Sequence, residues 1–132
     1  MASDLGKLIL RLALGAMILT HGVMKIIGGP AFIVSLVAKA GLPHSVAYLV
    51  YVGEVLAPLL IIVGVWTRLS AFVIVVNMAV AVYLAHLGQL LKLNETGGWA
   101  LELQGMYFFT ALAIMLLGAG RYSVGGSGGR WN

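Results

Sequence analysis

Residues 45–65 read SVAYLVYVGEVLAPLLIIVGV. The stretch is continuously apolar and matches the about 20 residues a helix needs to cross a bilayer. It lacks the period-two alternation of a barrel strand, so it reads as a spanning helix. Its one charge, Glu54, lies near the middle, about 14 Å below the Ser45 end at 1.5 Å per residue. A carboxylate at that depth costs at least about 2.5–3.5 kcal/mol and is by default a functional candidate. Pro58 stands four residues further on. A proline lacks the N–H that would bond the carbonyl four residues earlier, so the Glu54 carbonyl loses its helical partner at the same place. Carboxylate and carbonyl together could serve a ligand, a water or a cation. Equally, the kink could serve packing alone, with water on the carbonyl.

Three further apolar runs accompany this one, at about Leu8–Met24, Leu69–Leu87 and Trp99–Leu117. Across the 132 residues, 61% are hydrophobic and 9% charged, and the mean hydropathy is +1.05. Soluble domains average about 45–50% apolar and about 25% charged, and disordered chains are more polar still. Both classes are excluded. The expected fold is an all-α integral membrane protein: an antiparallel bundle of four transmembrane helices. The first run carries Arg11 and His21 and has no small-residue cleavage site after it, so it reads as a span and not a signal peptide. Gly28-Gly29-Pro30 ends it, and Ala31–Ala40 then reads as a short helix too short to cross, lying at the interface. Only Trp66–Leu69 separates the second and third runs, which makes them antiparallel neighbours. Residues 1–123 form one expected domain, and 124–132, with GGSGG inside, a flexible tail.

The formal charge is +4 with a pI near 9.7, but the basic residues are scattered and form no basic face. Nucleic acid is therefore not an expected partner; the lipid bilayer is. Four spans put both termini on one side. That side carries Lys7, Arg11, Arg68, Arg121 and Arg130, against Lys25, Lys39 and Lys92 on the other. By the positive-inside rule both termini are cytoplasmic in a multi-pass protein of a plasma membrane.

Depth along each span then gathers His21, Lys25, Glu54, His86, Glu102 and Gln104 in the outer half, with Asn77 near the middle. His21 and Lys25, spaced i, i+4, share a helix face. These are the candidate ligand-binding or proton-relay residues; no catalytic residue is assigned. Each has a plainer reading. Lys25 and His86 can snorkel to headgroups, and Asn77 can join two helices by a hydrogen bond. Gly15/Gly22 and Gly53/Ala57/Gly64 read as packing faces. No metal site is expected, since no HxxxH or ExxH pair shares a helix. The chain has no cysteine, hence no thiolate chemistry of its own, and no nucleophile elbow, Ser–His–Asp arrangement or phosphate loop.

One set of short motifs runs the length of the chain. It comprises Leu10-Arg11 with Gly15, His21-Gly22 with Lys25, Gly41-Leu42-Pro43, and Glu54 followed by Gly64 and Thr67-Arg68. Asn77-Met78 with His86, Gly97-Gly98 with Glu102, and Gly118-Ala119-Gly120-Arg121 with Ser123 complete it. In order and spacing this resembles the DoxX family of small bacterial four-helix membrane proteins. Ala119 stands where that family usually has proline, and the continuation after Ser123 departs from the usual one. The resemblance implies a four-helix transmembrane bundle in the bacterial inner membrane, with both termini inside. It further implies a membrane subunit of a quinone-linked oxidoreductase complex, non-catalytic or quinone-binding, with a redox protein as partner and a quinone as cofactor. His21, Lys25, Glu54, His86 and Glu102 fall on the family's recurring polar positions. The alternative is a non-enzymatic membrane protein: a small-solute or proton pathway, or an assembly and anchor partner. A homo-oligomer is compatible with either.

Overall fold

A computed structural model describes residues 2–29, 31–86, 88, 90–126 and 129–132. The fold is all-α, 73% helical, with no strand among the described residues. Helix α1 spans Ala2–Gly28, α2 Ala31–Lys39, α3 Ser45–Val63, α4 Thr67–Leu84 and α5 Glu102–Leu117. Three of these, α1, α3 and α4, are long and apolar enough to cross a membrane. Helix α5 is apolar but shorter, 16 residues or about 24 Å. The sequence places its start at Trp99. The chain instead holds Trp99 in an isolated bridge to Leu93, with its indole N–H donating to the Leu90 carbonyl (2.7 Å), and the helix begins three residues later.

The core draws on α1, α3, α4 and α5: Leu14 and Ile18 of α1, Ala57 and Ile61 of α3, Ala71, Ile74 and Met78 of α4, and Tyr107, Ala111 and Ile114 of α5. Most of the remaining large apolar side chains point outward, among them Ile9, Leu59, Phe72, Phe109 and Leu116. In water such a surface would be a large contiguous apolar patch; in lipid it is the matching solvent. Small residues let the backbones approach. Gly15 lies against Ile62 and Pro58, and Gly53 against the Asn77 side chain.

Helix α3 is not uniform. It opens with a 3₁₀ turn over His44–Tyr48, widens to a π turn over Val52–Leu56 and closes as a regular α-helix over Ala57–Val63. Within the π turn the Ala57 N–H reaches back five residues to the Val52 carbonyl. The break therefore falls where Pro58 withdraws its donor, and π turns of this kind are frequent at functional positions. The Glu54 carbonyl faces Gly22 of α1, and a β-carbon at Gly22 would collide with it. Glycine is thus what allows α1 to approach the broken turn. A second π turn, Val82–His86, overlaps the end of α4 and runs two residues past it.

Between α3 and α4 the chain reverses in three residues. Gly64 (φ 81°) and Trp66 (φ 48°) both take the left-handed conformation. Past α5 the chain folds back: the Arg68 N–H donates to the Trp131 carbonyl (2.8 Å), and the Thr67 N–H to the Asn132 side-chain oxygen (3.0 Å). Asn132 is 6% exposed.

Candidate functional site

Lys25 lies in the last turn of α1 and Glu54 in the π turn of α3. Because the two helices run antiparallel, the side chains meet. Lys25 Nζ donates to both carboxylate oxygens of Glu54, at 2.7 Å to Oε1 and 2.6 Å to Oε2. The Glu54 side chain is 4% exposed and that of Lys25 32%. Asn77 of α4 donates to Glu54 Oε2 from Nδ2 at 3.3 Å, and the Tyr51 hydroxyl donates to the Lys25 carbonyl at 3.2 Å. Three helices thus converge on one carboxylate. This is the arrangement a mid-membrane charge requires, since each ion offsets the desolvation of the other.

The pair sits in the wall of a cavity of about 600 Å³. His21, Gln104 and Tyr107 line it too, and the His21 and Tyr107 rings meet edge to face, centroids 5.8 Å apart. The rest of the lining is mainly aliphatic and phenyl, from Ile18 of α1, Phe32 and Val37 of α2, Val50 of α3, and Val73 and Leu84 of α4. A cavity of this size, mostly apolar with a few polar groups, is the usual form of a small-molecule site.

Of the residues singled out from the sequence, the fold brings together His21, Lys25, Glu54, Asn77 and Gln104. Glu102 is placed elsewhere. It is exposed on the first turn of α5 and accepts from Asn94 Nδ2 (3.2 Å). Asn94 in turn accepts from the Thr96 and Gly98 N–H groups at 3.0 Å each, so Glu102 braces the loop before α5. A carboxylate also suits a helix N-terminus. The His86 side chain lies outside the described residues.

Sequence reasoning passes over two features. Tyr51 and Tyr107 carry no charge, so nothing in an apolar run marks them out. Arg11 reads from sequence only as an orientation signal near a span end. In the fold it is 1% exposed and donates four hydrogen bonds to main-chain carbonyls: Nε to Ile61 (3.0 Å), Nη1 to Ala119 (3.1 Å) and Tyr122 (2.8 Å), and Nη2 to Ile62 (3.0 Å). It binds the end of α3 and the segment after α5 to α1.

Long apolar helices gathered on a buried ion pair beside a cavity define a helical membrane protein with an internal polar site. The chain belongs to the DoxX family, whose sequence profile matches residues 6–87. The matched span holds His21, Lys25, Glu54 and Asn77. No curated protein and no solved structure matches the chain.

Proposed function

We propose that the chain is a membrane subunit of a quinone-linked redox complex, and that the cavity takes the quinone head group. The observation that carries this reading is the Lys25–Glu54 pair in the wall of an otherwise largely apolar cavity of about 600 Å³. The residues present suit such a group. Apolar walls suit a ring, and Lys25 has three N–H donors of which two go to Glu54, leaving one for a carbonyl oxygen. A bound quinone would supply two-electron, two-proton chemistry. Lys25 would hold and orient the carbonyl oxygen. Glu54, in contact with the Lys25 ammonium, would accept or relay a proton, and His21 lies near enough on the same face of α1 to share that work. Asn77 would fix the Glu54 carboxylate, with Gln104 as a further donor at the wall.

In this reading α5 is a fourth span, α2 lies at the interface and both termini are cytoplasmic in the bacterial inner membrane. Residues 1–123 are the domain, 124–132 its tail, and a redox protein or a second copy docks on the assembly. Below Glu54 the bundle is closed by Ile18, Ile61, Ile74 and Ile114, each at most 1% exposed. A closed floor speaks for a pocket and against a through-path for solute or protons.

The alternative, a non-enzymatic anchor or assembly protein, is favoured by one observation: Lys25 and Glu54 already satisfy each other. Mass analysis of the gently solubilised protein separates the two. Retained quinone in the wild type that is lost in Glu54→Gln, with membrane insertion unchanged, supports the pocket. Normal partner activity and unchanged ligand content in Glu54→Gln support the anchor.

A further inference from the structure

The cavity has a mouth, and its position says how a ligand arrives. Helix α4 packs on α3 along Val52–Leu56 and Ala57–Val63 but not comparably along Leu49–Tyr51. From their tight turn the two helices therefore separate, and α2 bridges part of the gap by packing on the start of α3 and on the π turn at the end of α4. Five cavity-lining residues along the α3–α4 seam are exposed: Leu49 (61%) and Val52 (40%) on α3, and Phe72 (51%), Val76 (44%) and Val80 (43%) on α4, of which Leu49 and Val80 flank the gap and Phe72 and Val76 continue below it. The three on α4 follow one another at i, i+4, i+8 and form a single stripe. All five are apolar. Gly53 packs against Asn77, so Val80 stands opposite the loosely packed Leu49–Tyr51, about 20 Å along α4 from Thr67 and still inside a hydrocarbon layer about 30 Å thick. An opening at that depth faces acyl chains and not water.

We infer that the gap between α3 and α4 is a lateral portal, and that the ligand is a membrane-dissolved molecule with an uncharged, hydrogen-bond-accepting head and a long hydrocarbon tail. This rests on the head-group pocket proposed above and adds the route and the tail. The head is uncharged because the Lys25–Glu54 pair sums to zero. An anionic head would meet the Glu54 carboxylate with its cation already engaged. The tail leaves through the portal along Val76 and Val80, where each buried methylene adds affinity.

The test uses the full chain in lipid nanodiscs, with affinities referred to bilayer concentration. The probes are a long-tailed isoprenoid quinone and the same head group without its tail. The proteins are the wild type, Val76→Trp, Val80→Phe, and Leu59→Trp as a lipid-facing control. The wild type is expected to hold the tailed probe at least about tenfold more tightly than the tail-free one. Val76→Trp and Val80→Phe should weaken the tailed probe about tenfold and the tail-free probe less than about threefold, while Leu59→Trp moves neither. Equal affinity for the two probes, or equal loss of both in the portal variants, overturns the inference. Binding of neither probe to the wild type defeats the quinone reading. The portal is then decided by a photoreactive lipid carrying a diazirine at mid-chain. Label on Val73 inside the cavity upholds it, and label confined to outward residues such as Leu59 and Leu116 overturns it.

Discussion

At one end of the bundle Arg11 commits four N–H donors to main-chain carbonyls and is 1% exposed. At the other, Lys25 gives two donors to a carboxylate and remains 32% exposed beside a cavity. Both are cations on α1, 14 positions apart. Arg11 neutralises the carbonyl end of α3, where the helix dipole is negative, with a planar fork that fits several fixed acceptors at once. Lys25 is a point charge on a flexible stem, paired with a single carboxylate. The first arrangement locks helices together and leaves little to react. The second keeps an ion pair, one free donor and a cavity beside it. Stability thus rests on the arginine end and, in the function proposed above, ligand chemistry on the lysine end.

The strongest way to break that division is Arg11→Met. It strips four carbonyls of their donor, two of them on residues with no exposed surface, at about 1–3 kcal/mol for each buried acceptor left alone. A loss of about 4 kcal/mol or more is expected, seen as a large drop in the thermal midpoint of the solubilised protein. Molecules that remain folded should retain ligand normally. Arg11→Lys, with three donors and no fork, should fall between.

Next in size is Lys25→Met. It leaves Glu54 buried with Asn77 as its remaining side-chain donor, a loss of about 3 kcal/mol, at the low end for broken buried pairs because Lys25 is part-exposed. The double variant Lys25→Met/Glu54→Gln should recover most of that stability while losing ligand retention. Failure of the double variant to recover would show that the pair does not carry the cost, and a double-mutant cycle measures the coupling directly.

How far the sequence anticipates this comparison follows from what each residue type reveals. Apolar length shows the spans, because a bilayer leaves few alternatives to about 20 apolar residues. Glu54 stands out because it is the single charge in its run, and Pro58 marks the turn that the fold widens. Three things escape. Which member of the polar set pairs with Glu54 is not legible, since helix rotation is set by contacts such as Gly22 on the Glu54 carbonyl, which no single span encodes. Glu102 shares the depth of the polar set but not its face. The part played by Arg11 depends on carbonyls 50 and 108 positions away along the chain. Residue type and depth are local properties; facing and long-range acceptors are not.

A smaller effect sharpens the lysine end. Gly22→Ala sets a methyl against the Glu54 carbonyl, a backbone atom that moves only with the π turn. Overpacking of this sort costs about 1–3 kcal/mol. Displacement of α1 should also lengthen the Lys25–Glu54 contact, so ligand retention should fall further than stability alone explains. A thermal shift with full retention would mean that the pair tolerates helix displacement.

The smallest expected effect tests whether any arginine at that end would do. Arg68, at the start of α4, caps α5 as Arg11 caps α3: Nη1 donates to the Leu116 carbonyl at 3.2 Å, and Nη2 reaches that of Leu117 at 3.5 Å. These contacts are longer, and their acceptors belong to residues 69% and 46% exposed. Its Nε has no partner among the described residues. Exposed carbonyls at a helix end can turn to water or headgroups when the arginine is removed, so the acceptors are not orphaned as those of Arg11 are. What remains is mainly the interaction with the helix dipole, about 0.3–1 kcal/mol. Arg68→Met should therefore shift the thermal midpoint by well under a third of the Arg11→Met shift, measured side by side in one detergent. Equal shifts would mean that charge at this end, and not the burial of its acceptors, sets stability, and the contrast between the two ends of α1 would lose its physical basis.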